Sequence, residues 1–378
     1  MAKPAFSNGV VVDQVYMPNS IRAQSGAAVR SAIPQYVYSH YKDSLTGSPA
    51  SKIQQIIDMA EALTHTVAFV GGSATVIIDE SFDFVAGDTK IDVKEGVELL
   101  PSGYRTITVG NTGRTDTAQS WFEMHSNTRI GAFKFVWDNP EPSSAIIFAS
   151  PGRENITVDC PEFDIAVTRD RVDVNDPAAV QVGTICTQLI GCNNCEINRP
   201  KMVSGYTGVS LLGCDGIDVK AVDIKGYSGQ GIFCVPTSTT DSSNIRIVGG
   251  MIGAAAPSQR FPVTGGSFPR QPIAFQSNIA TENKDILIKD IVVILPDTPS
   301  DGENNQTVSN GSADAVSVHR GNNVRVVNVS VYGAGELGFN FSTGCVNCSW
   351  INCYVDGCDL GAYSVGVFDD YNLSLIHI

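Results

Sequence analysis

Charge is scarce in this chain, and basic charge is scarcer. Charged residues make up 17% of 378, with 25 Lys and Arg against 39 Asp and Glu, a net charge of −14. So acidic a surface repels nucleic acid and anionic membranes, and neither is expected as a partner. Long apolar runs are missing too: no stretch reaches the roughly 18 residues that a membrane-spanning helix needs. The opening MAKPAFSNGVVV lacks the apolar core of a secretory signal, and the runs Gly9–Val12 and Val67–Val70 are too short to supply one. Helical periodicity is confined to SKIQQIIDMAEAL, where Ile53, Ile56, Ile57 and Ala60 fall at i, i+3, i+4 and i+7. That spacing predicts one amphipathic helix, with Ser51 as its N-cap.

Present in quantity are apolar residues (43%) and glycine (36 residues), enough for a core and many tight turns. Two strand types recur. The first is TGVSL (Thr207–Leu211), QGIFC (Gln230–Cys234), DAVSV (Asp314–Val318) and LGFNF (Leu337–Phe341). With the small second residue as marker, Gly208 to Gly231, Ala315 to Gly338 and Gly338 to Gly361 are equal steps of about 23 residues. The second type is NVRVVNVSV (Asn323–Val331), NCSWINCYV (Asn347–Val355) and NIRIVGGMI (Asn244–Ile252). GIDVKAVDI (Gly216–Ile224), DILIKDIVV (Asp285–Val293) and NITVDC (Asn155–Cys160) share its pattern of two alternating apolar positions, a corner residue and two more. Period-two runs this short are strands. Three strands and three turns in about 23 residues make one coil of a parallel β-helix, an all-β solenoid.

The ten cysteines fit this scaffold. Without a secretory signal they are expected as reduced thiols. CNNC (192–195) and CVNC (345–348) look like zinc half-sites, but about 150 residues part them, against the roughly 15–20 between the halves of a zinc ribbon. Cys192, Cys195, Cys214, Cys345 and Cys348 instead take repeated coil positions, and interior stacking is expected, with Cys353 and Cys358 at corners or in the core. No metal or other cofactor is expected. Asn155, Asn194, Asn244, Asn323 and Asn347 open equivalent strands, and Asn tolerates left-handed backbone, so they read as a structural corner ladder.

Four parts are expected: an adaptor or anchoring arm over residues 1–45, a capping-helix region over 46–72, the β-helix over 73–372, and a non-native tail over 373–378. A helix ahead of the first coil covers an otherwise open sheet end. The final LSLIHI resembles translated sequencing-adaptor sequence, so a C-terminally truncated frame is expected and His377 carries no functional weight.

The helix followed by GGSATVIID and KIDVKEGVELL resembles the start of the pectate-lyase superfamily of right-handed, single-stranded parallel β-helices. NNVRVVNVSVYGAGELGFNFSTG resembles a central coil of the phage tailspike and polysaccharide depolymerase proteins in that group. The resemblance covers roughly residues 50–370. It implies binding and cleavage of a bacterial surface polysaccharide, capsule or O-antigen, by a glycosidase before a lyase. It also implies a homotrimer at full length, attached to a virion and to phage baseplate or tail proteins through the N-terminal arm. The Asp-Asp, Gly-His-Gly and Arg-x-Lys signatures of polygalacturonases are not evident, nor is an Asp cluster with a basic partner for calcium-dependent lyase chemistry. A non-catalytic glycan-binding spike and a secreted pectinase-like enzyme stand as alternatives, the latter opposed by the missing signal.

Glycosidases use two carboxylates, about 5 Å apart for retention and roughly 6.5–9.5 Å for inversion. Stacked coils about 4.8 Å apart can build either spacing. One edge offers Asp314, Glu336 and Asp359 as catalytic candidates, the last two separated by one 23-residue step and expected to stack. With Val316 and Val318 inward, Ser317 and His319 face out, and the 23-residue step puts Asn340 and Tyr363 in the Ser317 column. His319, Arg320, Asn340 and Tyr363 are therefore expected to bind substrate. Two insertions, Ala254–Arg270 and Pro296–Ser312, enter beside this edge, where loops concentrate function. Asp369 and Asp370 are a further candidate pair, whereas Asp215, Asp218 and Asp223 read as solvated.

Overall fold

The structure, a computed structural model, describes residues 35–66, 73–110, 120–137, 145–165, 184–227, 230–254, 271–277, 281–295, 314–334, 337–342, 344–358 and 361–365. Every strand pairing in it is parallel, and the strands fall into one sheet of 18 and one of 10. Each coil gives the narrow sheet one strand, such as Thr207–Leu212, and gives the broad sheet two segments, such as Asn193–Asn198 and Lys201–Ser204. Where the bend between the two segments is gentle they merge into a single strand, as in Asp215–Tyr227. The expected parallel β-helix is therefore the observed architecture.

The core is a set of columns running along the solenoid. Ile91, Phe122, Ile147, Thr187, Val209, Ile232, Ile273, Val316, Phe339 and Tyr363 stand in one column of the narrow sheet. Aromatic rings fill the first coils, with Phe135 stacked on Phe163 at 5.3 Å and Trp121 edge-on to Trp137 at 5.6 Å. Cys192, Cys195, Cys214, Cys345 and Cys348 are buried free thiols in this interior, and Cys353 and Cys358 pack against it, as the coil positions predict. No cluster of three or more metal-ligating side chains occurs among the described residues.

Corners are made by left-handed residues. Asn155, Asn194, Asn244, Asn323 and Asn347 all have φ between 52° and 58°. A second ladder at the bend of the broad sheet, the corner of the repeated strand pattern, comprises Cys160, Arg199, Ala221, Asp290, Asn328 and Asn352. Ala221, at φ 52°, has no side-chain reason to be there. An L-residue costs roughly 1–2 kcal/mol in this region, and glycine gives back about 0.5–1 kcal/mol in entropy. Ala221→Gly is therefore expected to raise stability by about 0.5–1 kcal/mol, read as a higher denaturant midpoint.

The N-terminal end is closed as expected, with adjusted boundaries. The helix runs Pro49–Thr66, and Ile53, Ile56, Ile57 and Ala60 are buried. Its cap is Ser48, not Ser51: the Ser51 amide donates to Ser48 Oγ (3.1 Å), and Pro49 takes the first helical position, where its missing N–H costs nothing. The described residues begin at Gln35, inside the segment expected as an arm; Gln35–Val37 pairs with the strand Ala74–Ile78. The remaining arm residues, 1–34, and the tail lie outside the described residues. Ile91–Val93 is the outermost strand of the narrow sheet. There Gln54 acts as a substitute peptide: Asp92 N–H donates to Oε1 (2.7 Å) and Nε2 donates to Asp92 O (3.2 Å). Gln54→Leu keeps the bulk and removes both bonds, so stability should fall by about 1–2 kcal/mol. The Asp92 amide should also lose its protection in hydrogen exchange.

Candidate active site on the narrow sheet

The site is built where the broad sheet hands the chain to the narrow one. Long connections enter here, between Trp137 and Ala145, Ile165 and Ile185, Ala254 and Ile273, and Ile294 and Asp314. Other coils cross the same corner in two residues, as between Ala334 and Leu337. Both predicted insertions thus enter at one corner, although their own residues lie outside those described.

Asp314 opens the strand Asp314–Val318, all five residues of which are buried. Val316 and Val318 join the core, as the alternation predicts, and stand opposite Phe339 and Phe341. Ser317 stands opposite Asn340 on the other face, yet is fully buried. Asn340 Nδ2 donates to Asp314 Oδ2 (2.9 Å). Asp314 Oδ1 makes no hydrogen bond of good geometry, though the Ser317 hydroxyl is close enough to favour the ionised form. Burial dominates and raises the Asp314 carboxyl above its ordinary value; the amide, the hydroxyl and His319 only temper the rise. Burial likewise lowers the His319 imidazole, against the pull of Asp314. Acid and imidazole are thus both pushed toward their neutral forms.

The same corner carries a polar ladder, in which Thr207 and Gln230 follow from the strand repeat and Gln271 is an addition. Thr207, Gln230 and Gln271 each precede their narrow-sheet core residue by two positions, as Asp314 precedes Val316. Thr207 Oγ1 donates to Gln230 Oε1 (3.2 Å), and the Gly231 amide donates to the Gln271 carbonyl (3.4 Å). Gln271 is 2% exposed and its Oε1 has no partner. A buried, unpaired acceptor costs about 1–3 kcal/mol, and neighbouring coils carry two, on Gln271 and Asp314. QPIAF (271–275), aligned with DAVSV, would have revealed Gln271 in the sequence.

Several expectations change. Tyr363 is not in the Ser317 column: it stands opposite Phe339, stacks on that ring at 5.5 Å and donates its hydroxyl to the Cys353 carbonyl (3.0 Å). The turn after Phe341 has one residue more than the turn after Val318, so the step is 24, and a one-residue shift turns a side chain to the opposite face. Ser364 takes the place beside Asn340. Leu337 opposes Gly361 by the same step, so the 23-residue match of Glu336 to Asp359 does not follow the strands they precede. Glu336, Asp359, Asp369 and Asp370 themselves lie outside the described residues. His319 and Arg320 sit at the far end of the strand from Asp314, in the turn to the broad sheet, where Arg320 is left-handed (φ 52°). Asp215, Asp218 and Asp223 line the outer face of the broad sheet, where Lys220 bridges to Asp218 and Lys225 to Asp223.

No protein-family model and no curated protein matches the chain. Solved structures resemble it in fold. One is the enzymatically active domain of tailspike protein 2 of bacteriophage CBA120, with 9% identity and a TM-score of 0.46 over 85% of this chain and 41% of that one. DFA-IIIase from Arthrobacter chlorophenolicus A6 gives 12% and 0.48 over 87% and 85%. The Streptococcus pneumoniae surface protein and adhesin PfbA gives 10% and 0.44 over 85% and 96%. The chain thus spans less than half of the tailspike domain it resembles.

Proposed function

We propose that this β-helix binds a bacterial surface polysaccharide along the narrow-sheet corner and cleaves it, with Asp314 as proton donor to the glycosidic oxygen. The observation that carries this reading is the Asp314 carboxyl: buried, raised by burial, held through one oxygen by Asn340, and without a well-formed hydrogen bond at the other. Such a group keeps its proton where exposed acids have lost theirs, as a general acid must. Gln230, Gln271 and Asn340 offer amides for sugar hydroxyls. Glu336 and Asp359, which precede the next two narrow-sheet strands, are assigned as the carboxylates that complete hydrolysis. A neutral His319 base would instead suit β-elimination. The finer reading is a phage tailspike, a homotrimer at full length, joined to tail or baseplate proteins through its first residues. It is supported by the sequence resemblance of the NNVRVVNVSVYGAGELGFNFSTG coil.

A panel of purified capsular and O-antigen polysaccharides tests the assignment. Hydrolysis releases reducing ends alone; elimination adds the absorbance of an unsaturated uronate. A non-catalytic glycan-binding spike is the second reading, favoured by the amide ladder, and it is the outcome if chains are bound and left at full length.

A further inference from the structure

An apolar stripe lies open on the second facet of the broad sheet in its last coils. Val292, Ile294, Tyr332 and Tyr354 are exposed by 37, 45, 42 and 51%. Strand register arranges them in two columns: Val292, Ser330 and Tyr354 in one, and Ile294, Tyr332 and Asp356 in the other. The tyrosine rings are 5.6 Å apart and tilted by 50°, so neither covers the other, and their exposure leaves ring surface open. Two adjacent open rings of this kind offer a flat apolar surface with a polar edge to a ligand.

Its place in the fold points to the occupant. Ile294 ends the strand on one side of the connection whose other side begins at Asp314, and Tyr332 lies just before the strand that carries Asn340. Stripe and candidate acid therefore flank one corner on the same coils. A second copy of the chain fits poorly. With strands about 4.8 Å apart and alternate residues about 7 Å apart, the stripe measures roughly 10 Å by 7 Å between centres. A stable protein interface covers roughly 800 Å² per partner. An exposed Asp356 within the stripe would also be buried without a partner in a self-contact. Two tilted rings with a hydroxyl and a carboxylate alongside suit a sugar unit, whose C–H face is apolar and whose rim is all hydroxyl.

We propose that Tyr332 and Tyr354, with Val292 and Ile294 beneath and Ser330 and Asp356 at the rim, form a stacking subsite for a neutral sugar unit. The inference rests on the polysaccharide reading above and adds to it a second contact surface and a preference: the Asp356 carboxylate disfavours a uronate here. Aromatic rings give large, rigid contact at low entropic cost, so most of the affinity of this subsite should reside in the two tyrosines.

The test uses the full chain in the non-cleaving Asp314→Asn background, with retardation in native gels containing purified O-antigen polysaccharide, capsular polysaccharide or dextran. Tyr332→Ala with Tyr354→Ala should weaken retardation by the bound polysaccharide about tenfold, at unchanged circular dichroism. Tyr332→Trp, with Tyr354 intact, should retain it. Equal retardation of the intact and double-alanine proteins overturns the subsite while leaving the polysaccharide reading in place. If the intact stripe is retarded by no polysaccharide, that reading falls and the subsite with it. If the double variant only changes the sedimentation coefficient, the stripe is an interface between copies and the subsite is wrong.

Discussion

Asp314→Asn is expected to slow glycan cleavage by about 10²–10⁴-fold, the range that general-acid catalysis supplies. Binding of uncut polysaccharide should change little, because the asparagine amide keeps the shape and a hydrogen-bonding oxygen. The same substitution should make the protein more stable at neutral pH. Burial raises the carboxyl in the folded state, so the folded chain holds a proton that the unfolded chain has released. Wild-type stability therefore declines as pH rises from the unfolded value, near 3.8, through the raised folded value. Asparagine has no proton to lose, so its stability curve should lack that decline. His319 acts with the opposite sign: its lowered folded pKa means that stability is lost as pH falls below the ordinary imidazole value of 6.5. Cleavage should fall on the alkaline side, as Asp314 gives up the proton it must donate. Denaturant midpoints and cleavage rates from pH 4 to 8, on both proteins, give the comparison. Parallel stability curves together with undiminished cleavage would remove Asp314 from the chemistry.

The solenoid was legible because its period is written twice, in the narrow-sheet strands and in the asparagine corners. Asn signals a left-handed backbone; Cys160, Arg199 and Ala221 adopt the same conformation without that signal, so the second corner was legible from the repeated strand pattern and not from residue type. The long connections before Gln271 and Asp314 hid another coil. Ile232 is followed in its column by Ile273 and then Val316, and the distances between them obscure the common step. This is why Asp314 and Asn340 were visible while Gln271 was not. The site also shows how sharply a column argument depends on register. Val316, Val318, Ser317 and Asn340 fell where alternation put them, because the turn after Val318 is short. One further residue after Phe341 was enough to send Tyr363 into the core against Phe339. Burial of Asp314 was not legible at all: residue type and alternation suggest a solvated acid at a strand start, and only the three-dimensional neighbourhood removes the water.

Gly250→Ala is expected to be the most disruptive small substitution on the broad sheet, destabilising its coil by about 3 kcal/mol or more. A Cβ at this position would lie 2.0 Å from the Val222 carbonyl oxygen and 2.5 Å from the Val222 nitrogen. Both are backbone atoms of the preceding coil, which the register holds directly opposite. No rotamer relieves such a clash, so either the coil spacing opens or the strand leaves its ladder. The φ of +113° adds conformational strain for any other residue. Gly249 is the internal control. It is left-handed at φ +77°, in the corner position that Ala221 and Asp290 occupy in the neighbouring coils, and a Cβ there meets only Ala221 at 3.9 Å. Gly249→Asn should therefore cost no more than about 1 kcal/mol. Because each coil of a solenoid touches only its neighbours, the damage from Gly250→Ala should be local. Limited proteolysis should cut near residue 250 well before the rest of the chain melts. Equal melting and equal protease resistance of the two single variants would show that the coils can separate at this point, and that the close backbone contact is not what holds them in register.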